Sequence, residues 1–301
     1  MKLTIITINY NSSENTIKLL ESLKNQTPSA SSGQADFEVI VVDNNSDDVG
    51  KLMSYQTSET NIIYIKNDQN LGYSGGNNTG IRKALSLDGT RDRQNGVDWV
   101  LLLNNDTWVE DTFMGRLKAV LEGKEGIVGL ALDEGERTAF RGLVQWLKPT
   151  LKHIYLQAGL NSHQTYAIGG AMLIHKSVFD RIGLLDEKYF LYFEDADFCQ
   201  RARKARIPIS FLPEIKISHS VSASTKKLGS PMLLRYHYRN ALYFNLKNGP
   251  WYIKLFVWPW SWLVVLKQIV KIIVGQNREQ SFSILKGVRD WYSGRMGKLH
   301  D

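Results

Sequence analysis

Four short apolar runs in the first third of the chain constrain its fold more than any other feature. Residues 3–8, 37–42, 61–66 and 99–103 are rich in Ile, Val and Leu, without the strict polar alternation of a half-exposed strand. Such runs are typical of strands buried on both faces of a parallel sheet. A stretch with helical apolar spacing separates the first two, which begins a strand–helix–strand crossover unit. We therefore predict an α/β fold with a mostly parallel, Rossmann-like central sheet flanked by helices.

Polar residues follow three of these runs at the points where the strands should end. They are Tyr10, Asp43, Asn104, Asn105 and Asp106. Ligands of open α/β sheets bind beyond the carboxyl ends of the strands, so we expect these side chains to converge on one crevice. Taken singly, each acid is also compatible with an ordinary turn or helix cap.

A stretch rich in Gly and Asn, residues 70–78, follows the third run and should lead into a helix. Its glycines would allow a ligand to approach the backbone, and the helix N-terminus behind them would favour phosphate. The spacing of the glycines fits neither the dinucleotide fingerprint nor the phosphate-binding loop. An ordinary strand-to-helix turn is equally compatible with the pattern.

Three acids lie close together between aromatic residues later in the chain: Glu194, Asp195 and Asp197. Neighbouring carboxylates repel one another, so such a group requires a cation, a task as a base, or full solvation. The same acids would also suit the start of a helix that continues through Arg201 and Arg203. We expect these two arginines to pair with the acidic cluster or with the surface. His219 ends a predicted strand 24 positions after Asp195, which makes a metal role competitive with a structural one.

The single cysteine, Cys199, excludes an internal disulfide and a cysteine-based metal cluster, as fits a reducing compartment. We expect its side chain to be a small buried apolar group. The first residues are too short and too polar for a signal peptide, so a cytoplasmic location is expected.

Positive charge is concentrated in the last third of the chain. Residues 202–301 carry 17 Lys and Arg against 4 Asp and Glu, whereas residues 1–201 carry 20 against 26. This part also contains the uncharged run 255–266, which includes Pro259 and is too short for a span of ~20 residues. Nucleic-acid binding is disfavoured because long apolar runs interrupt the basic residues.

The run and the residues after it have the pattern of a helix lying in a membrane surface. Lys267, Gln268 and Lys271 fall on one predicted face, the opposite face is apolar, and tryptophans supply interfacial rings. A buried helix pair or a dimer contact is the alternative.

In their order along the chain, these motifs resemble those of the inverting glycosyltransferases of family 2, which have the nucleotide-binding GT-A fold. The similarity is to bacterial rhamnosyltransferase-like and galactofuranosyltransferase-like enzymes that build O-antigen, capsule and other surface polysaccharides. It covers about residues 3–245. The resemblance implies a glycosyltransferase domain at 1–245, followed by a helical, membrane-associating extension at 246–301.

The resemblance also implies roles for single residues. Asp195 matches the catalytic base, and Asp106 and His219 match ligands of a divalent cation, Mn²⁺ or Mg²⁺. Asn104 replaces the first Asp of the family's Asp-x-Asp motif and supplies no charge. Positions that match substrate-binding motifs are Tyr10, Asp43, Asn70, Gly72, Gly76, Asn77, Asn104, Asn105, Glu194, Asp197 and Arg239. Among them, Arg239 belongs to a motif of the acceptor side, together with Tyr238 and Asn240.

The implied reaction transfers a sugar, with inversion, from dTDP-rhamnose or a UDP-sugar to a glycan or a polyprenyl-diphosphate-linked acceptor. The implied location is cytoplasmic, at the inner face of the plasma membrane, and an oligomer is left open. A non-catalytic nucleotide-sugar-binding module is one alternative, because Asn104 weakens the metal site. A nucleotidyltransferase is another, although a basic Gly-rich loop after the first strand is missing.

Overall fold

A mixed β-sheet forms the centre of the computed structural model, which describes residues 2–24, 26, 37–55, 62–86, 97–157, 163–220 and 230–299. Its strands, in spatial order, are β3 (Ile62–Lys66), β2 (Phe37–Asp43), β1 (Leu3–Asn9), β4 (Trp99–Leu103), β11 (Ala171–His175), β6 (Ile127–Asp133), β12 (Ile209–His219) and β5 (Thr107–Trp108). The four strands predicted from the apolar runs lie side by side and are parallel. The predicted α/β class is therefore confirmed.

The direction of the strands changes at β11. This strand is antiparallel to both β4 and β6, whereas β12 runs parallel to β6. The sequence predicted a strand over residues 167–174, but β11 begins only at Ala171, because Gly169 and Gly170 form a turn before it. That turn lies beside the carboxyl end of β4, where Asn104 N donates to Gly170 O at 3.1 Å.

Helices cover both faces of the sheet. They are α1 (Ser13–Lys24), α2 (Val49–Ser54), α3 (Gly72–Ser86), α4 (Phe113–Leu121), α5 (Lys176–Ile182), α6 (Glu194–Lys204), α7 (Pro231–Asn248), α8 (Trp251–Ile273) and α9 (Arg278–Tyr292). Successive strand residues point to opposite faces. Ile5 of β1 therefore packs in the cluster with α1, α2 and α4, whereas Ile6 packs in the cluster with α3, α5, α6 and α7.

Residues 133–166, to which no element is assigned from the sequence, contribute short strands. β7 (Thr138–Ala139) pairs with β6, and β10 (Thr165–Tyr166), β8 (Arg141–Leu143) and β9 (Lys152–Ile154) form a small antiparallel sheet. Gly142 of β8 lies flat against the ring of Tyr166, where even a β-carbon would collide with the ring. Two predicted strands at 207–211 and 214–219 prove to be one strand, β12, with an irregularity between Leu212 and Lys216.

The last three helices pack on one another and on the sheet domain. α7 passes through the predicted boundary at 245/246, and its Phe244 belongs to the main core. Leu242 of α7 packs with Val257 and Val264 of α8 and with Ile284 of α9. The helical extension is thus joined to the sheet through α7.

Helix α8 departs from the sequence prediction in two respects. It continues through Pro259 for 23 residues and contains an 18-residue window with a mean hydropathy of 1.4, so it is long and apolar enough, by length and composition alone, to cross a membrane. The estimate from the uncharged run was therefore too short. Gln268, predicted to share one helical face with Lys267 and Lys271, is buried and accepts a hydrogen bond from Ser281 Oγ of α9 at 3.0 Å.

Candidate active site

The carboxyl ends of β1 and β2 are tied together by a buried polar network. Asn9 Nδ2 donates to Asp43 Oδ1 at 2.9 Å and to Ser46 Oγ at 3.0 Å, and Ser46 N donates to Asp43 Oδ2 at 3.0 Å. The buried Asp43 carboxylate is therefore fixed in orientation. Tyr10 lies beside this network with half of its surface exposed, so its ring is free to stack on a planar ligand.

The Gly- and Asn-rich stretch begins α3, and its predicted site residues make contacts within the protein. Gly72 has a φ of 70°, and Phe190 O occupies the place where a β-carbon would lie. Asn70 Oδ1 accepts from Gly72 N at 2.8 Å, and the buried Asn77 donates to Tyr73 O at 3.1 Å. Gly76 is packed against Asn44. These contacts explain the residue types here, and substrate contact by these four residues stays a prediction.

The loop after β4 brings Asp106 and His219 together. β5 pairs with β12 so that Thr107 lies opposite His219, which places Asp106 Oδ1 at 3.3 Å from His219 Nε2. Asp106 Oδ1 and His219 Nδ1 are buried, and neither has a hydrogen-bond partner in the described part of the chain. Asn105 has a structural contact instead, donating to Thr16 Oγ1 of α1 at 2.9 Å.

The paired oxygen and nitrogen atoms fit a divalent cation of the Mg²⁺ or Mn²⁺ type, which accepts carboxylate and imidazole ligands. Across the described ranges, no group of three or more His, Cys, Asp or Glu side chains is placed to hold a metal ion. A cation at Asp106 and His219 would therefore need further oxygen ligands from water or from a phosphate group.

The acidic cluster lies in the first turn of α6, and its first two members, Glu194 and Asp195, are close enough for their charges to interact. Asp195 Oδ2 accepts from Gly169 N at 3.0 Å, and Oδ1 accepts from Ala196 N at 2.7 Å. Burial raises the pKa of Asp195 to about 6. Burial and the neighbouring Asp195 raise the pKa of Glu194 well above its usual range, and Glu194 Oε2 has no partner among the described residues. The two carboxyls therefore ionise one after the other rather than together.

Asp197, the third member, lies inside the protein rather than in the crevice. Its fully buried carboxylate accepts from Arg201 Nε at 2.8 Å, Tyr189 Oη at 3.1 Å and Asn248 Nδ2 at 2.7 Å, and Lys247 Nζ lies at 2.8 Å. The predicted pairing of Arg201 with the cluster is thus confirmed. Asp197 joins α6 to α7, and the substrate contact expected of it finds no support in this packing.

Arg239 is also enclosed. Its guanidinium donates to main-chain oxygens of Tyr189 and Gly297, at 3.1 and 2.8 Å, and to Asn240 Oδ1 at 3.0 Å. The buried guanidinium is thus occupied by partners within the protein, which argues against the acceptor contact expected for Arg239. The predicted apolar role of Cys199 is confirmed, since its side chain is fully buried.

Gly169 was not among the predicted site residues. Its N–H holds Asp195, and its carbonyl accepts from Tyr73 Oη at 2.5 Å. Gly170, next to it, accepts from Asn104 N. This turn therefore connects the acidic cluster to the loop that bears Asp106. The double glycine was visible in the sequence, but nothing in the pattern indicated that its backbone bonds both elements.

Comparison with known protein families identifies the chain. The family model described as "Glycosyl transferase family 2" matches residues 4–183, more than half of its length. The chain belongs to glycosyl transferase family 2. The resemblance found in the motifs is therefore confirmed, and the family excludes the nucleotidyltransferase reading.

Curated relatives of this family 2 chain include three glycosyltransferases. The low-salt glycan biosynthesis hexosyltransferase Agl10 of Haloferax volcanii is 31% identical over 252 residues, 79% of this chain and 73% of the relative. The dTDP-rhamnosyl transferase RfbF of Shigella flexneri is 22% identical, covering 70% and 71%. The N-acetylglucosaminyl-diphospho-decaprenol L-rhamnosyltransferase of Mycobacterium tuberculosis is 21% identical, covering 95% and 98%.

Solved structures show the same GT-A fold. Residues 1–349 of TarS from S. aureus, in complex with UDP-GlcNAc, align with a TM-score of 0.56 at 14% identity, over 98% of this chain and 93% of that one. GalNAc-T7 with UDP, GalNAc and Mn²⁺ aligns with a TM-score of 0.60 at 14% identity, over 82% of this chain and 50% of that one. The predicted GT-A architecture is confirmed.

The raised pKa of Asp195 predicts a pH-dependent gain in stability for Asp195→Asn. Between the ordinary Asp pKa of 3.8 and about 6, the folded protein binds more protons than the unfolded chain, so ionising Asp195 lowers stability as the pH rises. Relative to the wild type, the Tm of Asp195→Asn should be higher by a few degrees at pH 7.5, the change expected for about 3 kcal/mol, and the difference should largely disappear near pH 4. Calorimetry at both pH values measures this.

Asp186→Asn is the matched control, with the opposite sign. Burial alone would raise the pKa of Asp186, but hydrogen bonds from Lys247 and the backbone of Lys188 outweigh it and lower the pKa. Its stabilising contribution is present above pH 4 and is lost as the pH falls, so Asp186→Asn should lower the Tm at pH 7.5. A difference in Tm between Asp195→Asn and the wild type that does not change with pH would contradict the raised pKa of Asp195.

Proposed function

We propose that this chain is an inverting glycosyltransferase of surface polysaccharide biosynthesis, transferring a sugar from a nucleotide diphosphate to a glycan or polyprenyl-diphosphate-linked acceptor. The observation that carries the proposal is the Gly169–Gly170 turn, which hydrogen-bonds both Asp195 and the loop of Asp106. The candidate base and the loop that carries the candidate metal ligand Asp106 are thereby hydrogen-bonded to one turn. The names of the RfbF and mycobacterial relatives make dTDP-rhamnose our first candidate donor, ahead of a UDP-sugar.

The donor side is built from the ends of β1, β2 and β4. Asp43 and Tyr10 would hold the nucleobase, Asp43 by hydrogen bonding and Tyr10 by stacking. Asp106 and His219 would hold the divalent cation, Mn²⁺ or Mg²⁺. When bound, such an ion supplies positive charge that stabilises the diphosphate leaving group. Asn104 lacks the charge of an aspartate, but its amide oxygen can accept a hydrogen bond from a ribose hydroxyl.

Asp195 is our candidate general base. It takes the proton of the acceptor hydroxyl as that oxygen forms a bond to the anomeric carbon, while the bond from this carbon to the diphosphate oxygen breaks on the opposite face. Attack opposite the leaving group inverts the configuration. A pKa of about 6 leaves Asp195 ionised at neutral pH and more basic than an ordinary aspartate. The two N–H donors hold the carboxylate in place for this step.

The assignment of the base predicts the activity of two variants. Asp195→Asn should lower kcat by about 10²–10⁴-fold and leave donor affinity within about twofold, because the amide cannot accept the proton. Asp186→Asn should retain transfer. In the wild type kcat should rise with pH to a plateau, with an apparent pKa near 6. Transfer from dTDP-rhamnose and a panel of UDP-sugars, with product stereochemistry by NMR, provides the measurement.

Three outcomes would count against this proposal. Normal turnover by Asp195→Asn removes Asp195 as the base, and a product of retained configuration removes inversion. Donor binding by the wild type without transfer or hydrolysis would favour the non-catalytic binding module.

The metal assignment predicts nucleotide-dependent binding of Mn²⁺. Two protein ligands leave most coordination positions to phosphate oxygens, so the wild type should bind Mn²⁺ more tightly with dTDP or UDP present than without. His219→Gln should lower this affinity by about tenfold or more. His175→Gln, at a histidine that caps α5, should leave it unchanged. Titration followed by electron paramagnetic resonance tests this without activity, and equal affinities for all three proteins would exclude His219 as a ligand.

We also propose that one face of α8 contacts the membrane, where a lipid-linked acceptor would be located. Its buried residues, Ile253, Val257, Ser261, Val264 and Gln268, lie along one side, against α7 and α9. The rest of the surface exposes large apolar side chains, which we call the apolar face of α8: Trp251, Tyr252, Leu255, Phe256, Trp258, Trp262, Leu263, Leu266, Ile269, Val270 and Ile273. An exposed apolar surface of this extent marks an interaction site.

Charge favours a lipid surface as the partner. At 3.6 residues per turn, Lys254 and Lys267 fall on the two borders of the apolar face, where they would meet anionic headgroups. The polar atoms of the buried side are bonded within the protein, with Ser261 Oγ at 2.7 Å from Tyr292 Oη. A spanning orientation would have to separate these contacts, so we propose that α8 lies in the membrane plane. The protein would then be peripheral on the cytoplasmic face of the plasma membrane.

Vesicle flotation tests this orientation. The wild type should float with vesicles that contain anionic lipid, and salt should weaken binding. Leu263→Glu, at a side chain that is 65% exposed on the apolar face, should abolish flotation. Leu156→Glu, 74% exposed elsewhere, is the matched control and should float like the wild type. If the wild type fails to float and Leu263→Glu converts a dimer to a monomer in sedimentation, the face is a dimer contact instead.

A further inference from the structure

Asn240 and Arg239 are fully buried polar residues in the middle of α7. The resemblance placed both in a motif of the acceptor side, but only Arg239 was predicted to bind substrate. Asn240 donates to main-chain oxygens of the segment 189–193, which connects to the start of α6, and Arg239 donates to the first of these oxygens. Asn240 was not predicted as a site residue. Its contacts indicate what this motif does.

The segment has an unfavourable backbone conformation. Phe190, Tyr192 and Phe193 have φ angles of 64°, 70° and 78°, in the left-handed region that residues with side chains rarely adopt. None of the three is glycine. Such a conformation persists only when the surrounding structure holds it in place.

Asn240 supplies much of that restraint. Three main-chain oxygens of the segment lie within hydrogen-bond distance of Asn240 Nδ2: Tyr189 O at 3.0 Å, Leu191 O at 2.7 Å and Tyr192 O at 3.1 Å. Arg239 donates through Nε to Asn240 Oδ1, which orients the amide so that its NH₂ group faces the segment. Arg239 also donates to Tyr189 O.

The segment is held from two further sides. Phe190 O accepts from Tyr73 N of α3 at 2.7 Å, and the ring of Tyr192 stacks on His237 of α7 at 4.2 Å between centroids. Gly297, which accepts from Arg239, donates from its own N–H to Lys188 O at 2.8 Å. The restraint therefore involves the residues after α9 as well as α7.

The segment determines where Asp195 lies. Phe193 O accepts from Asp197 N at 2.8 Å in the first turn of α6, so the backbone at Phe193 sets the direction in which this helix begins. Asp195 is two residues further on, and its contact with Gly169 N depends on that direction. A rotation of the backbone at residues 190–193 would move the carboxylate away from Gly169.

We propose that Asn240, oriented by Arg239, is a positioning residue for Asp195. It holds the segment 189–193 in the conformation from which α6 presents Asp195 to Gly169 and to the acceptor hydroxyl. The inference rests on the proposed function for the role of Asp195 as base, whereas the restraint of the segment is independent of it.

The test compares Asn240→Ala with Asn245→Ala. Asn245 is a matched control, because it is on the same helix, is equally buried and makes two hydrogen bonds, to Ala241 O and from Leu147 N, without touching the segment. Amide hydrogen exchange at residues 189–196, read by mass spectrometry, should be faster in Asn240→Ala and unchanged in Asn245→Ala. If Asn240→Ala does not purify, Asn240→Ser, which is too short to bridge the three oxygens, replaces it with the same expectation.

Kinetics provide the second measurement. Asn240→Ala should lower kcat by about tenfold or more, as expected for a base displaced by a fraction of an ångström, with KM for the donor within about twofold. Its apparent kinetic pKa should also fall, because loosening the segment admits water to Asp195. Asn245→Ala should lower the Tm but preserve kcat and the pH profile.

Unchanged exchange in Asn240→Ala, or equal losses of kcat in both variants, would overturn the positioning role. Failure of the wild type to transfer a sugar would contradict the proposed function instead. The exchange result would still decide whether Asn240 restrains the segment.

Discussion

The antiparallel direction of β11 is the constraint on which the site depends. Because β11 runs opposite to β4, its first residues lie beside the last residues of β4. The Gly169–Gly170 turn is thereby brought to the edge where the parallel strands end, and its backbone bonds Asn104 on one side and Asp195 on the other. A fifth parallel strand would have placed that turn at the far edge of the sheet. The change of direction is thus what allows a helix late in the chain to be connected, through this turn, to the loop after β4.

The sequence predicted the features that are encoded locally. The continuous apolar runs identified β1, β2, β3 and β4. Three of these strands, β1, β2 and β4, are enclosed between two helical layers and have no solvent face to mark with polar residues, whereas β3 at the edge of the sheet is only partly buried. The order of the motifs identified the family. The meeting of Asp106 with His219 was implied by the resemblance alone, since it depends on β5, a strand of two residues that pairs across more than a hundred positions.

The sequence was less informative where a polar residue has its partner on a distant helix. Asp197 belongs to the acidic motif, yet its partners include Lys247 and Asn248 from the end of α7. Gln268 has the spacing of a residue on the same face as Lys267 and Lys271, yet α9 covers it. A helical wheel shows that a residue lies on the polar side, but not whether that side faces water or a polar group of a neighbouring helix. Arg239 is a third example, because its acceptors are main-chain oxygens without any sequence signature.

Helix α7 contacts both the segment before Asp195 and, through Leu242, the helix that carries the apolar face. With α8 lying on a bilayer, the rigid connection through α7 would fix the height and tilt of the crevice above the lipid. The height of the site above the lipid would then select acceptors by their length. Acceptors whose reacting hydroxyl stands at that height would be elongated, and those grown beyond it would leave the reach of Asp195. Encounter with a lipid-linked acceptor would also become a search in two dimensions, governed by lateral diffusion and surface density rather than by bulk concentration.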